Sequence, residues 1–409
     1  MRVKYFILLI LLSGISQLFA QHILKPFPQH VKYFRGSIKP NHISQTQLDS
    51  QVRSFYTQWK QRFIKQVPGK SEEYVWFQNI GKKQCVSEGQ GYGMIITVLM
   101  AGYDIDAKLT YDELFRYYKS HPSKRGKHLM AWAQYTNGKN LDATSATDGD
   151  MDIAYSLLLA DKQWGSKGPI DYLHEGKVMI ADIMRYEINH KTWSVLLSDG
   201  IEEESKDYFS MRSSDFMPSH FKAFEHVTKD DRWGKVIDES YKLFNIMQRN
   251  YSPDAGLLPD FIVDINKKPK PAPPNFLESP YDGYYNYNAC RDPWRIAADY
   301  LLTGDHRSKA IVDKINQWIR ETTNNDTYNL SAGYTLAGND ITHRYFEALS
   351  FIAPFGVSAM VDQKNQAWLN KVWDYLTAFK LKDYDYYDNS IKLLDMIIIS
   401  GNYWEPASR

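Results

Sequence analysis

Little in this 409-residue chain suits metal or redox chemistry. It has only two cysteines, Cys85 and Cys290, far apart in sequence, and no Cys-x-x-Cys or His-x-x-x-His pattern. Neither a disulfide framework nor a metal-ligand spacing can be read from it, and no cofactor is expected. The formal net charge is +1 and no basic block stands out, which argues against nucleic acid as a partner. After the first twenty residues no run is apolar enough to cross a bilayer. Strand-like alternation is scarce, and no Ser/Gly linker divides the chain.

The N-terminus carries Arg2 and Lys4, then an apolar run from Tyr5 to Leu12, and closes on Leu18-Phe19-Ala20. That order of charge, apolar core and small residue reads as a secretory signal peptide over residues 1–20, cut near Ala20. Its apolar core is short for a spanning helix. A secreted or periplasmic protein is expected, with no stable membrane insertion after cleavage. Residues 21–45 read as a Pro- and His-containing lead, and 46–409 as one large helical domain, expected to act as a monomer. Apolar residues at helical spacing mark helices around Tyr241–Met247, Ile311–Ile319, Leu369–Leu376 and Ile391–Ile398. The longest loop between helices, about 250–291, is of the kind that usually carries function. Aromatic residues make up 14 % of the chain, including 29 Tyr and 11 Trp. That exceeds what a core of this size usually needs; some of the rings suit a wet cleft in which flat faces stack on sugars, and the rest suit the cover of a large helical core.

Three acidic segments stand out. Asp148, Asp150 and Asp152 run into the apolar stripe Ile153, Leu157, Ala160 and Trp164, so they sit at a helix N-terminus. The helix dipole favours negative charge there, and Thr147 or Asp148 can serve as N-cap. Capping accounts for one aspartate, not three. In the second segment, Ser87-Glu88-Gly-Gln-Gly-Tyr-Gly-Met94, Glu88 precedes Gly89, Gly91 and Gly93, ahead of a helix expected to start near Tyr92. Glycines allow close approach of backbone or ligand. A carboxyl group in such a crowded place has a raised pKa, as a general acid needs; a capping glutamate is the structural alternative. In the third, Glu278 leads through four tyrosines to Asn288, Arg291 and Arg295, with a helix starting near Pro293. Arg291 and Arg295 suit bidentate pairing with carboxylates or structural ion pairs.

The run Ala146–Trp164 resembles the signature of glycoside hydrolase family 8 and fits it at every position. The Ser-Glu-Gly-x-Gly-Tyr-Gly-Met segment, Arg212-Ser-Ser-Asp215-Phe-Met-Pro-Ser-His220, the Cys-Arg-x-Pro-Trp-Arg-Ile stretch and the closing run Asp388–Trp404 fit the family in the same order. The resemblance spans about residues 70–405. It implies an all-α (α/α)6 barrel, six inner helices ringed by six outer ones, with an open cleft at one end. It also implies endo-acting, inverting hydrolysis of β-1,4 bonds in a polysaccharide. Glu88 matches the family's general acid, and Asp148 an active-site aspartate that binds and distorts the central sugar. Asp150 is expected to join Asp148 in the floor of that subsite, with Tyr92, Trp132, Arg212, Asp215, Tyr287, Asn288, Arg291 and Arg295 as further substrate-binding residues.

One position departs from many cellulases and xylanases of the family, which carry Asp where this chain has Asn288. An amide cannot take a proton from water. The branch with Asn here, like bacterial chitosanases and lichenases, uses a glutamate of the preceding loop. Glu278 is the expected base, with Asp282 and Asp260 as rivals, and Asn288 can orient the water through its amide oxygen. The same substitution motivates an alternative, an inactive polysaccharide-binding or secretion accessory protein. β-Glucan or lichenan, cellulose, chitosan and xylan all remain open as substrates.

Overall fold

The computed structural model describes residues 23–341, 348–381 and 385–406. The expected signal peptide, residues 1–20, lies outside them. Among the described residues there are twelve α-helices in two sets that alternate along the chain. The inner set is α2 (Ser87–Leu99), α4 (Thr147–Trp164), α6 (Pro218–Thr228), α8 (Asp292–Thr303), α10 (Leu349–Ala359) and α12 (Tyr386–Ile399). Each packs on the next, and α12 returns to α2, so the ring is closed. The outer set is α1 (Gln45–Phe63), α3 (Ala107–Ser120), α5 (Tyr172–Tyr186), α7 (Arg232–Asn250), α9 (His306–Thr322) and α11 (Gln366–Ala378). Helices α3 to α11 of this set each cover the inner helix before them, and α1 covers α12. This is the (α/α)6 barrel.

The two sets follow from residue pattern. α4 and α10 are buried around almost their whole circumference, as expected of helices apolar on all sides. α7 instead buries one stripe, with Trp233, Val236, Ile237, Tyr241, Phe244 and Met247 inward and charged residues outward. The four sequence-predicted helices appear as α7, α9, α11 and α12.

The barrel's two ends differ. The lead crosses the C-terminal ends of the inner helices and satisfies carbonyls there that helices leave unpaired. The N–H groups of Phe27, Val31, Phe34 and Ile38 donate to the carbonyls of Ala101, Gly401, Leu301 and Met360, at 2.7–2.8 Å. The opposite end, at the inner helices' N-termini, carries three small antiparallel sheets. β3 (Lys83–Val86) pairs with β4 (Ala133–Tyr135) just before α2, and β5 (Met211–Arg212) pairs with β6 (Phe261–Val263), which pairs with β7 (Lys270–Pro271). A smaller hairpin joins β1 (Ile64–Gln66) to β2 (Glu73–Val75). The predicted loop 250–291 therefore contains strands. Both cysteines are free and buried.

Helix starts also differ from expectation. α2 begins at Ser87 rather than near Tyr92, so the glycine run is helical. α4 begins at Thr147 with Ala146 at the N-cap and no capping side chain. The Thr147 hydroxyl instead donates to the carbonyl of Leu196 at 2.8 Å. Gly91 and Gly149 admit a neighbouring helix rather than a ligand. A Cβ on Gly149 would lie 2.4 Å from Ser87 Oγ and 2.6 Å from the Ser87 carbonyl carbon, and one on Gly91 would lie 2.7 Å from Asp152 Cβ. α2 and α4 thus touch at their first turns, which sets Glu88 beside Asp148.

Gly149→Ala must push these first turns apart. It is expected to cost about 1–3 kcal/mol in thermal or urea unfolding and to depress activity further than that loss explains. Gly234→Ala in α7, where the new methyl meets nothing within 4 Å, is expected to be neutral or stabilising by up to ~1 kcal/mol.

Candidate active site

A cleft of about 360 Å³ opens at the N-terminal end of the inner helices, with Glu88, Trp132, Asp148, Arg212, Glu278, Tyr287, Asn288 and Tyr386 among its lining residues. Its chemistry is organised by two arginines. Arg291, at the start of α8 and 1 % exposed, donates through Nη1 to Glu88 Oε2 at 2.7 Å, Asp148 Oδ2 at 2.8 Å and the Tyr92 hydroxyl at 3.1 Å. Its Nη2 donates to Ser214 Oγ at 2.8 Å and Asn288 Oδ1 at 3.1 Å. Arg212 donates through Nη2 to Glu278 Oε1 at 2.8 Å and lies 3.4 Å from Asp215 Oδ2.

Glu88 and Asp148 share Arg291 yet are driven in opposite directions. Burial pushes the Glu88 carboxyl up to about 7. The Arg291 charge opposes this, and the Asp148 charge reinforces it. The Tyr386 hydroxyl donates to Glu88 Oε1 at 2.5 Å and favours the ionised form. Burial also penalises Asp148, but Arg291 and Arg212 outweigh it and, with the Gly149 N–H at 2.8 Å, hold this carboxyl at about 2. One carboxyl is thereby kept near its protonation midpoint at neutral pH, next to one that stays ionised.

Glu278 is open to solvent, with 45 % of its side chain exposed. Its Oε2 accepts from the Asn288 amide nitrogen at 2.8 Å. The two rival carboxylates are tied to backbone N–H groups of the loop. Asp282 is buried and accepts the N–H groups of Leu277, Glu278 and Ser279 at 2.7–3.0 Å. Asp260 is buried and accepts those of Asn286, Asn288 and Ala289 at 2.7–3.1 Å, and burial pushes its carboxyl up to about 7. These two carboxylates fold the segment that presents Glu278 and Asn288.

Five residues expected to touch substrate do not line the cleft. Asp150 is fully buried and accepts the Met130 N–H at 2.8 Å, so it does not share the subsite floor with Asp148. Arg295 lies deeper in the barrel, gripping both oxygens of Asp152 at 2.8 and 2.5 Å, and His220 adds a third contact to Asp152 at 3.0 Å. Arg291, Tyr92 and Asp215 lie behind the surface as partners of lining residues. The Asn288 amide oxygen accepts from Arg291 at 3.1 Å, which leaves it a second lone pair.

Trp132 lines the cleft with its indole N–H held by Asp142 Oδ2 at 2.7 Å, and Lys83 Nζ sits 5.1 Å from its ring centroid. The model of glycosyl hydrolases family 8 matches residues 38–401. The chain belongs to this family. It is 47 % identical to a β-glucanase of Niallia circulans, over 93 % of this chain and 91 % of that protein. It is 41 % identical to an endoglucanase of Bacillus sp. (strain KSM-330), over 94 % of this chain and 82 % of that one. The apo structure of a β-1,3-1,4-glucanase from Paenibacillus sp. X4 superposes with a TM-score of 0.89 at 46 % identity, covering 93 % of this chain and 99 % of that chain. As a family 8 member the chain is a glycosidase.

Sequence reading missed Tyr386 and Tyr387, two and one residues before the family-like run that opens at Asp388. It also passed over Ser214, inside a quoted motif, because a hydroxyl that serves an arginine has no pattern of its own.

Removing the Tyr386 hydroxyl withdraws a hydrogen bond from ionised Glu88 and so raises its pKa. If Glu88 must be protonated, wild-type kcat/KM falls as pH rises through about 7, and Tyr386→Phe moves that limb to higher pH. A pH–rate profile checks this; an unmoved limb contradicts it.

Proposed function

We propose that the protein is an exported endo-β-glucanase that cleaves β-1,4 bonds of a neutral glucan with inversion. Glu88 acts as general acid and Glu278 as general base. The observation that carries this reading is the opposite treatment of the two glutamates. Glu88 is enclosed and held near neutral protonation, whereas Glu278 is open to solvent and braced by Arg212 and Asn288.

In the reaction Glu88 gives its proton to the glycosidic oxygen as the bond to the anomeric carbon breaks. A water on the far side of the sugar gives a proton to Glu278 and its oxygen to the anomeric carbon. Such enzymes place their two carboxyl groups roughly 6.5–9.5 Å apart to admit that water. Asp148, ionised and fixed by Arg291, stabilises positive charge on the oxocarbenium-like transition state. Trp132 and Tyr287 offer ring faces to flanking sugars. Each chemical group comes from one chain, which suits a monomer.

Asn288, which motivated the accessory-protein alternative, is accommodated here. Its amide donates to Glu278 and accepts from Arg291, a pair of contacts that a carboxylate could not make without facing Glu278 as a like charge. Mixed-linkage β-glucan is favoured among substrates by likeness to the β-1,3-1,4-glucanase from Paenibacillus sp. X4. Export rests on the charge and apolar pattern of residues 1–20.

Glu278→Ala is expected to lower turnover by about 10²–10⁴-fold with the fold intact by circular dichroism, and azide is expected to restore part of it. Asp282→Ala is expected to fail through loop disorder, without azide rescue. A Glu278→Ala enzyme of near wild-type rate would remove Glu278 from the mechanism. Assayed on lichenan, carboxymethyl-cellulose, xylan and chitosan, the wild type is expected to be fastest on lichenan.

A further inference from the structure

Beneath the cleft lies a second acidic group that the proposed chemistry does not use. Asp150, in the first turn of α4, and Glu187, at the C-terminal end of α5, are both fully buried. Each has one oxygen that is accounted for. Asp150 Oδ1 accepts the Met130 N–H at 2.8 Å, and Glu187 Oε1 accepts the Ser145 hydroxyl at 2.5 Å. The other oxygen of each, Asp150 Oδ2 and Glu187 Oε2, is buried with no protein donor. Their anchors are neighbours, since Ala131, next to Met130, bridges to Ser145, and each carboxyl acts on the ionisation of the other. Among the described residues no basic group is a main influence on either carboxyl, and two cations of the neighbouring segments are engaged elsewhere. Arg125 donates to the Asp199 carbonyl and pairs with Glu202, and His128 pairs with Asp182.

Two ionised carboxylates in that position would repel each other in a medium that screens poorly, and each would retain an unsatisfied oxygen. One proton removes both difficulties, because it turns two orphaned acceptors into a donor and an acceptor. We propose that Asp150 and Glu187 hold one proton between them, and that this hydrogen bond locks the start of α4 and the Met130–Trp132 segment in the positions from which Asp148 and Trp132 serve the cleft. Both are positioning residues. Asp148 lies two residues before Asp150, and Trp132 two after Met130.

The surroundings favour the shared proton. Asp199 faces the pair from the following loop and is tied down by the N–H groups of Ser145 and Gly126 at 2.9 and 3.1 Å and by the Ser123 hydroxyl. Its negative charge acts on both carboxyl groups in the direction of protonation. Tyr118 faces Asp150 from α3, and Asp182 on α5, paired with His128, adds a further negative charge near Tyr118. Burial, the largest cause, raises both carboxyl groups well above their ordinary range.

The sign of the pH effect follows. A carboxyl group protonated in the folded state and ionised in the unfolded state stabilises the fold at low pH, and that stabilisation falls as pH rises toward its folded pKa. Glu187→Gln supplies the same hydrogen bond from an amide, without a titrating proton, and Asp150→Asn does the same from the other side.

The test is the unfolding temperature of the wild type and both variants between pH 6 and 9, by calorimetry on the full mature chain. The wild type is expected to lose about 1–2 °C per pH unit relative to either variant, so the curves diverge as pH rises. Other buried carboxyl groups, common to all three proteins, cancel in the comparison. Parallel curves would overturn the shared proton. Lichenan kinetics of Glu187→Ala, which leaves Asp150 without its partner, separate positioning from stability. At a temperature where the variant is fully folded, kcat is expected to fall and KM to rise, with recovery in Glu187→Gln. Unchanged kinetics in the folded alanine variant would overturn the positioning role.

Discussion

The site depends on one buried guanidinium. Arg291 reaches from the start of α8 to carboxylates at the first turns of α2 and α4, a hydroxyl just before α6 and an amide of its own segment. A buried charge without partners is strongly unfavourable. These contacts therefore hold only when the N-termini of four inner helices converge. The convergence needs Gly149 and Gly91, where any larger residue would separate α2 from α4. Fold closure and active-site assembly thus rest on the same few contacts. The N-terminal ends of the helices add partial positive charge to the side on which the carboxylates gather.

Within that frame two acids of the same kind become different reagents. Asp148 is fixed as a charge, whereas Glu88 is balanced between burial and Arg291 and stays near its midpoint at neutral pH. Arg212 repeats the theme on the other wall with Glu278 and Asp215. Asn288 links the two arginine systems, accepting from Arg291 and donating to Glu278. Read alone, Asn288 looks like the loss of a base. In its setting it is the residue that allows Glu278 to sit beside the Arg291 network without a like-charge contact.

Much of this was legible beforehand. The barrel, its helices and the grouping of Glu88, Asp148, Glu278 and Asn288 follow from helical periodicity and from family-like motifs. What the motifs could not separate was contact with the cleft from support behind it. Asp148 and Asp150 are two residues apart on one helix, so their side chains leave the first turn in different directions, one to the cleft and one to Met130. Arg291 and Arg295, four apart on or beside α8, serve successive layers of the barrel interior in the same way. Tyr386 escaped notice because its role depends on α12 closing the ring against α2, a contact between residues nearly three hundred positions apart.

The claim at the centre of this account is that Glu278 activates a water instead of attacking the sugar itself. Proton NMR of the new reducing end, recorded in the first minutes of lichenan hydrolysis before mutarotation, tests it most directly. Inversion of the β-bond predicts that the α-anomer appears first. Initial release of the β-anomer would mean a covalent intermediate and would contradict the assignment of Glu278 as a base.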